Sequence, residues 1–448
     1  MRRLLLPMAV ANALSAQSPL TLEQAVAQAA QNYGAVRVSA EQANAAAASI
    51  NLARTAFLLK VDGLAQLNRG TRNNVYGMLM PNSVIMPISG PPNPSNSLTS
   101  VWGSAVGVLV AWEPLDFGLR QSQVGVAEAG KRRADATLER TRFEVSAAAA
   151  DAFLAILAAQ QIVEAAKAGI ARARTLHEVV SALVKADLRP GAESARTRAE
   201  LAMAETQRIQ AEQAVAMAKA ALSQYLGSIP AAIDSGRLLE APPDSPAAVA
   251  ADHPVVREQT AVMQESQARM RVLDKSYFPK FNFQSGLYAR GTGARNDFTT
   301  GGAASGLGPN IHNWGAGLSV TLPVMDYAAI REKKAIESAQ SRVEAARLVQ
   351  LRQDLDARAA RAQAMVEGAR LVLANLPVQL EAARAAESQA SARYRAGLGT
   401  IAEVAETQRL LTQTEIDFSL AKLQVWRAHL AVAAARGELG GFLAMVKP

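Results

Sequence analysis

The sequence predicts a mainly α-helical protein with a small β part, and three observations lead to this fold class. First, no proline occurs between Phe117 and Arg189, a stretch dominated by alanine, glutamate, arginine, glutamine and valine. Roughly 70 helical residues would extend about 105 Å, which is far longer than an ordinary globular helix. Second, two pairs of short segments alternate apolar with small or polar residues, as strands do. Third, the chain repeats itself, so these elements recur in the same order.

The repeat is visible as matching residues at a nearly constant separation. It predicts a first repeat at 17–227, a linker at 228–252, a second repeat at 253–440 and a C-terminal tail at 441–448. The separation changes by ten residues inside one segment of each copy, between the predicted strands. The matched pairs are Leu188 with Leu398, Glu193 with Glu403, Leu201 with Leu411, Asp116 with Asp326, Lys60 with Lys280 and Tyr33 with His253.

Within each repeat the patterns place helices around a pair of strands. The loop 69–100 is rich in Asn, Pro and Ser, and the loop 291–313 is rich in Gly. Asp116 is placed to cap a helix, and Pro377 should kink the helix that contains it. The predicted helices are 22–30, 36–59, 117–189, 192–226, 254–275, 328–396 and one that returns to 435, and the predicted strands are 61–68, 106–112, 281–290 and 314–322.

Two turns between long helices attract attention. Gly397 and Gly399 interrupt one helical pattern, and Thr400 can cap the next helix with Glu403 as its capping-box partner. Glu403 and Glu406 are spaced i,i+3, so they share a helix face. The first repeat has its equivalent turn near 186–193, and the second near 395–402.

The N-terminus reads as a secretory signal over residues 1–16. Two arginines precede an apolar run, and cleavage after Ala13 or after Ala16 fits the small-residue rule. The formal net charge of +8 falls to +6 when Arg2 and Arg3 are removed. After this segment no run of about 18 uncharged apolar residues follows, so we expect no transmembrane helix. Cysteine is absent, which excludes disulfides, a thiolate metal site and an N-terminal lipid anchor on cysteine.

The strands have the alternation of a membrane β-barrel, with one apolar face. Of 21 aromatic residues, 13 fall within 57–117 and 277–327, and Trp102, Trp112 and Trp314 fall near strand ends, where membrane-interface aromatics lie. Four strands cannot close a barrel, and open edges are not tolerated in lipid. Other protomers must therefore complete the barrel, with eight strands from two chains or twelve from three.

Together these features resemble the TolC-like outer-membrane efflux protein family, over nearly all of the chain after the signal. The resemblance rests on the duplication and on the segments 393–398 and 188–193. It also rests on the proline and the aspartate that follow a predicted strand in each repeat. The resemblance implies a trimeric outer-membrane efflux fold, in which four strands per protomer form a 12-stranded β-barrel continued by a long periplasmic α-helical barrel. It implies a passive exit duct in the outer membrane, extending into the periplasm, for a tripartite efflux pump or a type I secretion system.

The resemblance also implies partners and site residues. The partners would be two further copies in a homotrimer, a periplasmic adaptor (membrane fusion) protein, an inner-membrane pump of RND, ABC or MFS type, and outer-membrane lipid. The periplasmic aperture would fall on Glu403, Glu406, Tyr394 and Glu193. The adaptor-docking tips would be Arg189, Pro190, Gly191, Gly397, Leu398 and Gly399.

Other chemistry has little support in the sequence. The four histidines are not at ligand spacing, and no nucleophile elbow, Walker motif or paired-carboxylate cleft occurs, so we expect neither an enzyme nor a cofactor or metal site. Basic residues are spread along helices without aromatic clusters, which argues against nucleic acid. The alternative reading is a periplasmic coiled-coil adaptor or interaction protein, although such proteins usually add a β-rich domain that this pattern lacks.

Overall fold

The computed structural model describes residues 19–71, 98–242, 252–295, 297 and 299–447. The predicted signal peptide and most of the predicted loop 69–100 lie outside these residues. The chain divides into two compact units, one built from segments 1–44, 133–261 and 345–448 and the other from 45–132 and 262–344. In chain order the elements are α1 Leu22–Asn32, α2 Gly34–Arg54, β1 Lys60–Thr71, β2 Ser100–Leu115, α3 Leu119–Lys185, α4 Gly191–Leu226, α5 Pro254–Lys275, β3 Lys280–Thr292, β4 Ile311–Thr321, α6 Asp326–Arg395, α7 Ile401–Arg436 and α8 Gly440–Val446.

The four strands form one antiparallel sheet in the order β1-β2-β3-β4. Its register aligns the predicted apolar positions in rows, so that Gly63 faces Val108, Val108 faces Leu287 and Leu287 faces Trp314. Directly paired residues share a face, so the alternation read from the sequence defines one apolar face and one face of small and polar residues. The apolar face is exposed, and Trp314 reaches 81% exposure. Within the described residues β1 and β4 each have one strand neighbour, so the sheet has two open edges.

The exit from β2 into α3 is fixed by a buried ion pair. Asp116 accepts hydrogen bonds from the backbone N–H groups of Gly118 (3.1 Å) and Arg120 (2.7 Å), as expected of a capping residue. The Arg120 guanidinium donates to Asp116 at 2.8 Å and also to the carbonyl oxygens of Ala56 and Glu113. Burial alone would raise the pKa of Asp116, but the hydrogen bonds from Arg120 and Gly118 outweigh burial and lower it.

The core of the first unit brings together distant parts of the chain. Phe153, Leu154 and Leu157 of α3 pack with Trp426 of α7 and Leu222 of α4. Segments predicted to be the linker and the C-terminal tail also join this core. Leu238, in a 3-10 turn of the linker, and Phe442 of α8 are both buried in it. The Trp426 indole N–H donates to the Glu240 carbonyl at 2.9 Å, which ties the linker to the core.

One helix of the described chain, α3, has a stretch long and apolar enough to cross a membrane by length and composition. Half of that stretch is buried inside the chain itself. Burial of this kind is what a core helix needs, and α3 supplies Phe153 and Leu157 to the core of the first unit. We therefore assign the stretch to the core.

Element boundaries differ from the prediction in a few places. The helix expected to reach residue 59 ends at Arg54, because a 3-10 turn follows in which Leu58 N–H donates to the Thr55 carbonyl at 3.0 Å. Strands β1 to β4 are longer than the alternation indicated, and β2 starts at Ser100 rather than near Val106. The segment expected to be a glycine-rich tail contains the short helix α8. As predicted, Pro377 lies inside one long helix, α6, and the kink expected at this proline stays a prediction.

Candidate gate at the ends of the helical hairpins

Each long helical hairpin ends in a turn of the same design. At the end of α3, Asp187 has φ 58° and Leu188 N–H donates to the Leu183 carbonyl at 2.9 Å. At the end of α6, Gly397 has φ 74° and Leu398 N–H donates to the Arg393 carbonyl at 2.9 Å. A left-handed residue followed by a bond back across the last helical turn is the Schellman ending. Both helices therefore end in the same way, although one uses aspartate where glycine is usual.

The residue after each left-handed position is an exposed leucine. In a Schellman ending this residue frequently packs back on the helix. Here Leu188 is 68% exposed and Leu398 is 73% exposed. Among the predicted docking residues, Pro190 takes an extended backbone before α4, Gly191 is the first residue of α4, and Gly399 lies close to Arg393 and the Glu403 carboxylate. The two turns thus present small residues around a projecting leucine.

The capping box predicted at the start of α7 forms only in part. Thr400 caps α7, since its hydroxyl accepts from Glu403 N–H at 3.3 Å. The reciprocal bond of a capping box is not among the hydrogen bonds of the described residues, so only half of the predicted box forms. The Glu403 carboxylate lies toward Gly399 instead. Glu403 therefore keeps an exposed side chain at the turn.

The two hairpins are joined near their ends by three residues, Arg189, Glu193 and Tyr394, which we call the tip lock. The Tyr394 hydroxyl donates to the Glu193 carboxylate at 2.7 Å. The Arg189 guanidinium stacks over the Tyr394 ring, 4.9 Å from its centroid, and lies 3.9 Å from the Glu193 carboxylate. The tip lock therefore combines a charge-assisted hydrogen bond, an ion pair and a cation–π contact.

Tyr394 is suited to hold the tip lock because it is buried and remains protonated. Tyr394 is only 2% exposed, and it packs with Val180, Ile401 and Val404 in an apolar cluster. Burial, followed by the hydrogen bond to the Glu193 carboxylate, raises the pKa of Tyr394 to about 12. The hydroxyl is therefore protonated at any physiological pH and can donate its hydrogen bond to Glu193.

The remaining two predicted aperture residues are exposed and do not belong to the tip lock. Glu403 and Glu406 are both exposed on the first turns of α7. Glu406 lies 3.8 Å from the Arg409 guanidinium, and Arg409 in turn pairs with Glu200 of α4 at 3.1 Å. The structure thus groups Tyr394 with Glu193 and Arg189, and places Glu406 beside a separate ion pair. Sequence reasoning missed Arg409 and Glu200, although the i,i+3 spacing of Arg409 from Glu406 was visible.

The three predicted interface tryptophans lie on the sheet of the second unit. Trp102 and Trp112 are near opposite ends of β2, and Trp314 is near the start of β4. The Arg69 guanidinium covers the Trp102 ring at 5.0 Å from its centroid. Trp112 pairs across strands with Phe283, which in turn pairs with Leu318. The aromatic residues thus continue the apolar face of the sheet toward both of its ends.

An open sheet with an exposed apolar face, together with two long helical hairpins joined near their ends, defines a class of protein: the outer-membrane channels with a helical tunnel. Comparison with known proteins supports this class. The family model described as "Outer membrane efflux protein" matches residues 25–228 and 246–438. The chain therefore belongs to the outer membrane efflux protein family, as its sequence predicted, and is an efflux channel of the outer membrane that extends into the periplasm. This is a family of channel proteins.

Solved structures of outer-membrane channels share the fold. The OprN channel has 20% identity and a TM-score of 0.71, with 94% of this chain and 90% of that chain covered. CmeC of Campylobacter jejuni has 16% identity and a TM-score of 0.73, with 93% and 85% covered. The open state of MtrE from Neisseria gonorrhoeae has 16% identity and a TM-score of 0.72, with 93% and 89% covered. No curated protein matches the sequence.

Proposed function

We propose that three copies of the chain form one passive exit duct, with a membrane barrel of twelve strands. The observation that carries the proposal is the sheet with two open edges and an exposed apolar face. Unpaired strand edges are not tolerated in a bilayer, so β4 of one copy must pair with β1 of the next. Three copies give a lumen wide enough for export, whereas eight strands would be filled by side chains.

The apolar face has the height of a membrane band. Trp102 and Trp112 are ten residues apart on β2, which at about 3.3 Å per residue is about 33 Å along the strand. A strand tilted by about 40° reduces this to about 25 Å, the height of the lipid-facing band in outer-membrane barrels. Trp102, Trp112 and Trp314 would then mark the two interfaces with lipid.

At the far ends of the hairpins, the tip lock would hold the duct closed. It joins α6 of the second repeat to the start of α4 in the first repeat, through Glu193 in the first turn of α4 and Arg189 just before it. Opening would require the hairpins to separate, which breaks the bond between Tyr394 and Glu193. A threefold axis would arrange Glu403 and Glu406 of three copies as a ring, and rings of carboxylates favour cations.

The exposed turns would receive a periplasmic adaptor protein, which links the duct to an inner-membrane pump of RND, ABC or MFS type. Leu188 and Leu398 offer apolar anchors at equivalent places in the two repeats. The organisation as two repeats is supported by the family model, which matches two separate segments, 25–228 and 246–438. In this scheme the protein carries out no catalytic step, and substrates pass as the pump delivers them.

The duct is tested by single-channel recording of the detergent-extracted protein in a planar bilayer. We expect a stable, cation-selective conductance that changes when Glu403→Gln and Glu406→Gln are combined. The matched control is the pair Glu205→Gln and Glu212→Gln on α4, which removes the same charge from exposed sites away from the turns. A conductance equally indifferent to both pairs would remove Glu403 and Glu406 from the aperture, and a folded protein found soluble in the periplasm would favour an interaction protein.

Adaptor docking is tested by cross-linking, because the chain has no cysteine of its own. The Leu398→Cys variant should cross-link to an adaptor in cells. The control variant Leu371→Cys, which replaces an equally exposed leucine on α6, should not. Equal cross-linking at both positions would argue against docking at the turn.

A further inference from the structure

We propose that Arg409 sets the ion selectivity of the aperture, because Glu200 holds its positive charge beside Glu406. This inference depends on the proposed duct, in which Glu406 faces the permeating ions. We call Glu200, Arg409 and Glu406 the charged triad. It lies about two helical turns along α7 from the turn that carries the tip lock.

The first step is the pair between Arg409 and Glu200. Its Nη2–Oε1 distance is 3.1 Å, and it crosses from α7 to α4. The Glu200 side chain is only 14% exposed. A carboxylate so poorly hydrated needs a partner, since removing the partner of a largely buried charge is costly. Glu200 therefore holds the guanidinium of Arg409 in place.

The second step is the position of Glu406. Its carboxylate is 3.8 Å from Nη1 of the same guanidinium, and its side chain is 75% exposed. An exposed pair at this distance is weak and does not by itself fix either partner. The arrangement is thus asymmetric: Glu200 fixes Arg409, and Arg409 partly neutralises a carboxylate that remains open to solvent.

The consequence concerns charge at the constriction. Glu403 and Glu406 alone would give each copy two exposed carboxylates, and Arg409 offsets part of that charge at Glu406. A permeating ion that passes about 4 Å from one unit charge in water has its local concentration changed about fivefold, and salt reduces this effect. The protein thereby has a milder cation preference than its aperture glutamates would produce.

A pair of substitutions separates charge from mere attachment of the hairpins. Arg409→Gln and Glu200→Gln both break the link between α7 and α4, but they should shift selectivity in opposite directions. Arg409→Gln leaves Glu406 unopposed, and we expect the cation-to-anion permeability ratio to rise about two- to fivefold. Glu200→Gln frees Arg409 to pair with Glu406, and the ratio should fall.

The experiment measures the reversal potential in a KCl gradient, for channels in the wild-type and the Tyr394→Phe background. Adding Glu406→Gln to Arg409→Gln should return the ratio close to the wild-type value, and Arg409→Lys, which keeps the charge, should leave it unchanged. The matched control is Arg174→Gln, since Arg174 pairs with Glu205 between α3 and α4 at 3.9 Å and carries the same charge. Circular dichroism and the oligomer on native gels confirm that each variant is folded.

The outcomes distinguish the inference from the duct. Opposite shifts in Arg409→Gln and Glu200→Gln, with no shift in Arg174→Gln, would establish the role of the charged triad. A conducting channel whose ratio is the same in Arg409→Gln and the wild type would overturn the role of Arg409 alone. Equal shifts in the same direction for Arg409→Gln and Glu200→Gln would reduce the pair to a structural link, and a folded protein without conductance in both backgrounds would overturn the duct and this inference together.

Discussion

Removal of one hydroxyl group should unlock the ends of the hairpins. Tyr394→Phe keeps the ring in its apolar cluster and keeps its stacking partner Arg189, but it deletes the 2.7 Å hydrogen bond to Glu193. A hydrogen bond to a charged group contributes about 1.5 to 3 kcal/mol. The Glu193 carboxylate retains Arg189 at 3.9 Å, so we take the lower end of that range. A loss of about 1.5 kcal/mol corresponds to about tenfold in the balance between open and closed for each lock.

The assay is open probability in single-channel records, with thermal unfolding measured on the same preparations. We expect Tyr394→Phe to raise the open probability about tenfold or more if, as proposed, the tip lock holds the duct closed. The control is Tyr33→Phe, which removes a tyrosine hydroxyl that accepts from Gln224 at 3.3 Å, outside the hairpin turns. Equal open probabilities for Tyr394→Phe, Tyr33→Phe and the wild type would refute the assignment of the tip lock to gating.

Two further predictions concern stability. Asp116→Ala removes the carboxylate partner of the buried Arg120 and should lower the free energy of unfolding by about 3 kcal/mol. Asp326→Ala, at the exposed equivalent position, should have little effect. Equal losses of stability for the two variants in chemical denaturation would contradict this prediction. Both ring nitrogens of His253 are hydrogen-bonded in the neutral form, with Val255 N–H donating to Nδ1 and Nε2 facing the Ala434 carbonyl, and burial lowers its pKa below 6.5. The neutral ring therefore stabilises the fold above about pH 6.5, and this stabilisation is lost as the pH falls toward the lower pKa of the folded state. The unfolding midpoint of His253→Gln should depend less on pH over this range than that of the wild type. An unchanged pH dependence would mean that other groups cause it.

Local patterns predicted the architecture well, because they are set by residues close together in the chain. The alternation in β4 fixed which residues share the apolar face, and the register confirmed that Trp314 and Leu318 belong to it. The glycine at 397 indicated a left-handed turn, and Asp116 indicated a cap, since both effects act over a few residues.

The repeat misleads where equivalent residues have different surroundings. Asp116 is buried against Arg120 and precedes α3, but its counterpart Asp326 is exposed and is itself the first residue of α6. The backbone differs as well, since Phe117 has φ 53° whereas its counterpart Tyr327 lies inside α6.

Partners from distant segments could not be predicted from spacing. Tyr394 and Glu193 were both assigned to the aperture, but their separation of 201 residues gave no sign that they bond to each other. The same holds for Arg409 and Glu200, which are 209 residues apart. Such pairs depend on how the hairpins pack, and packing over this range is set by the whole fold. The relations of Arg409 to Glu406 at i,i+3 and of Arg189 to Glu193 at i,i+4 were local enough to be read.

The sheet order has a consequence for how the chain is made and exported. β2 pairs with β3, although α3, α4, the linker and α5 lie between them in the chain. Closing a loop of about 165 residues costs about 4 to 5 kcal/mol in chain entropy, beyond a constant. The first β-hairpin must therefore wait, with an unpaired edge, until the second repeat has emerged, and long-range strand pairing of this kind is slow. A nascent chain arrested between the repeats would present that edge to any other strand, so the edge of β2 needs protection at least until β3 is available.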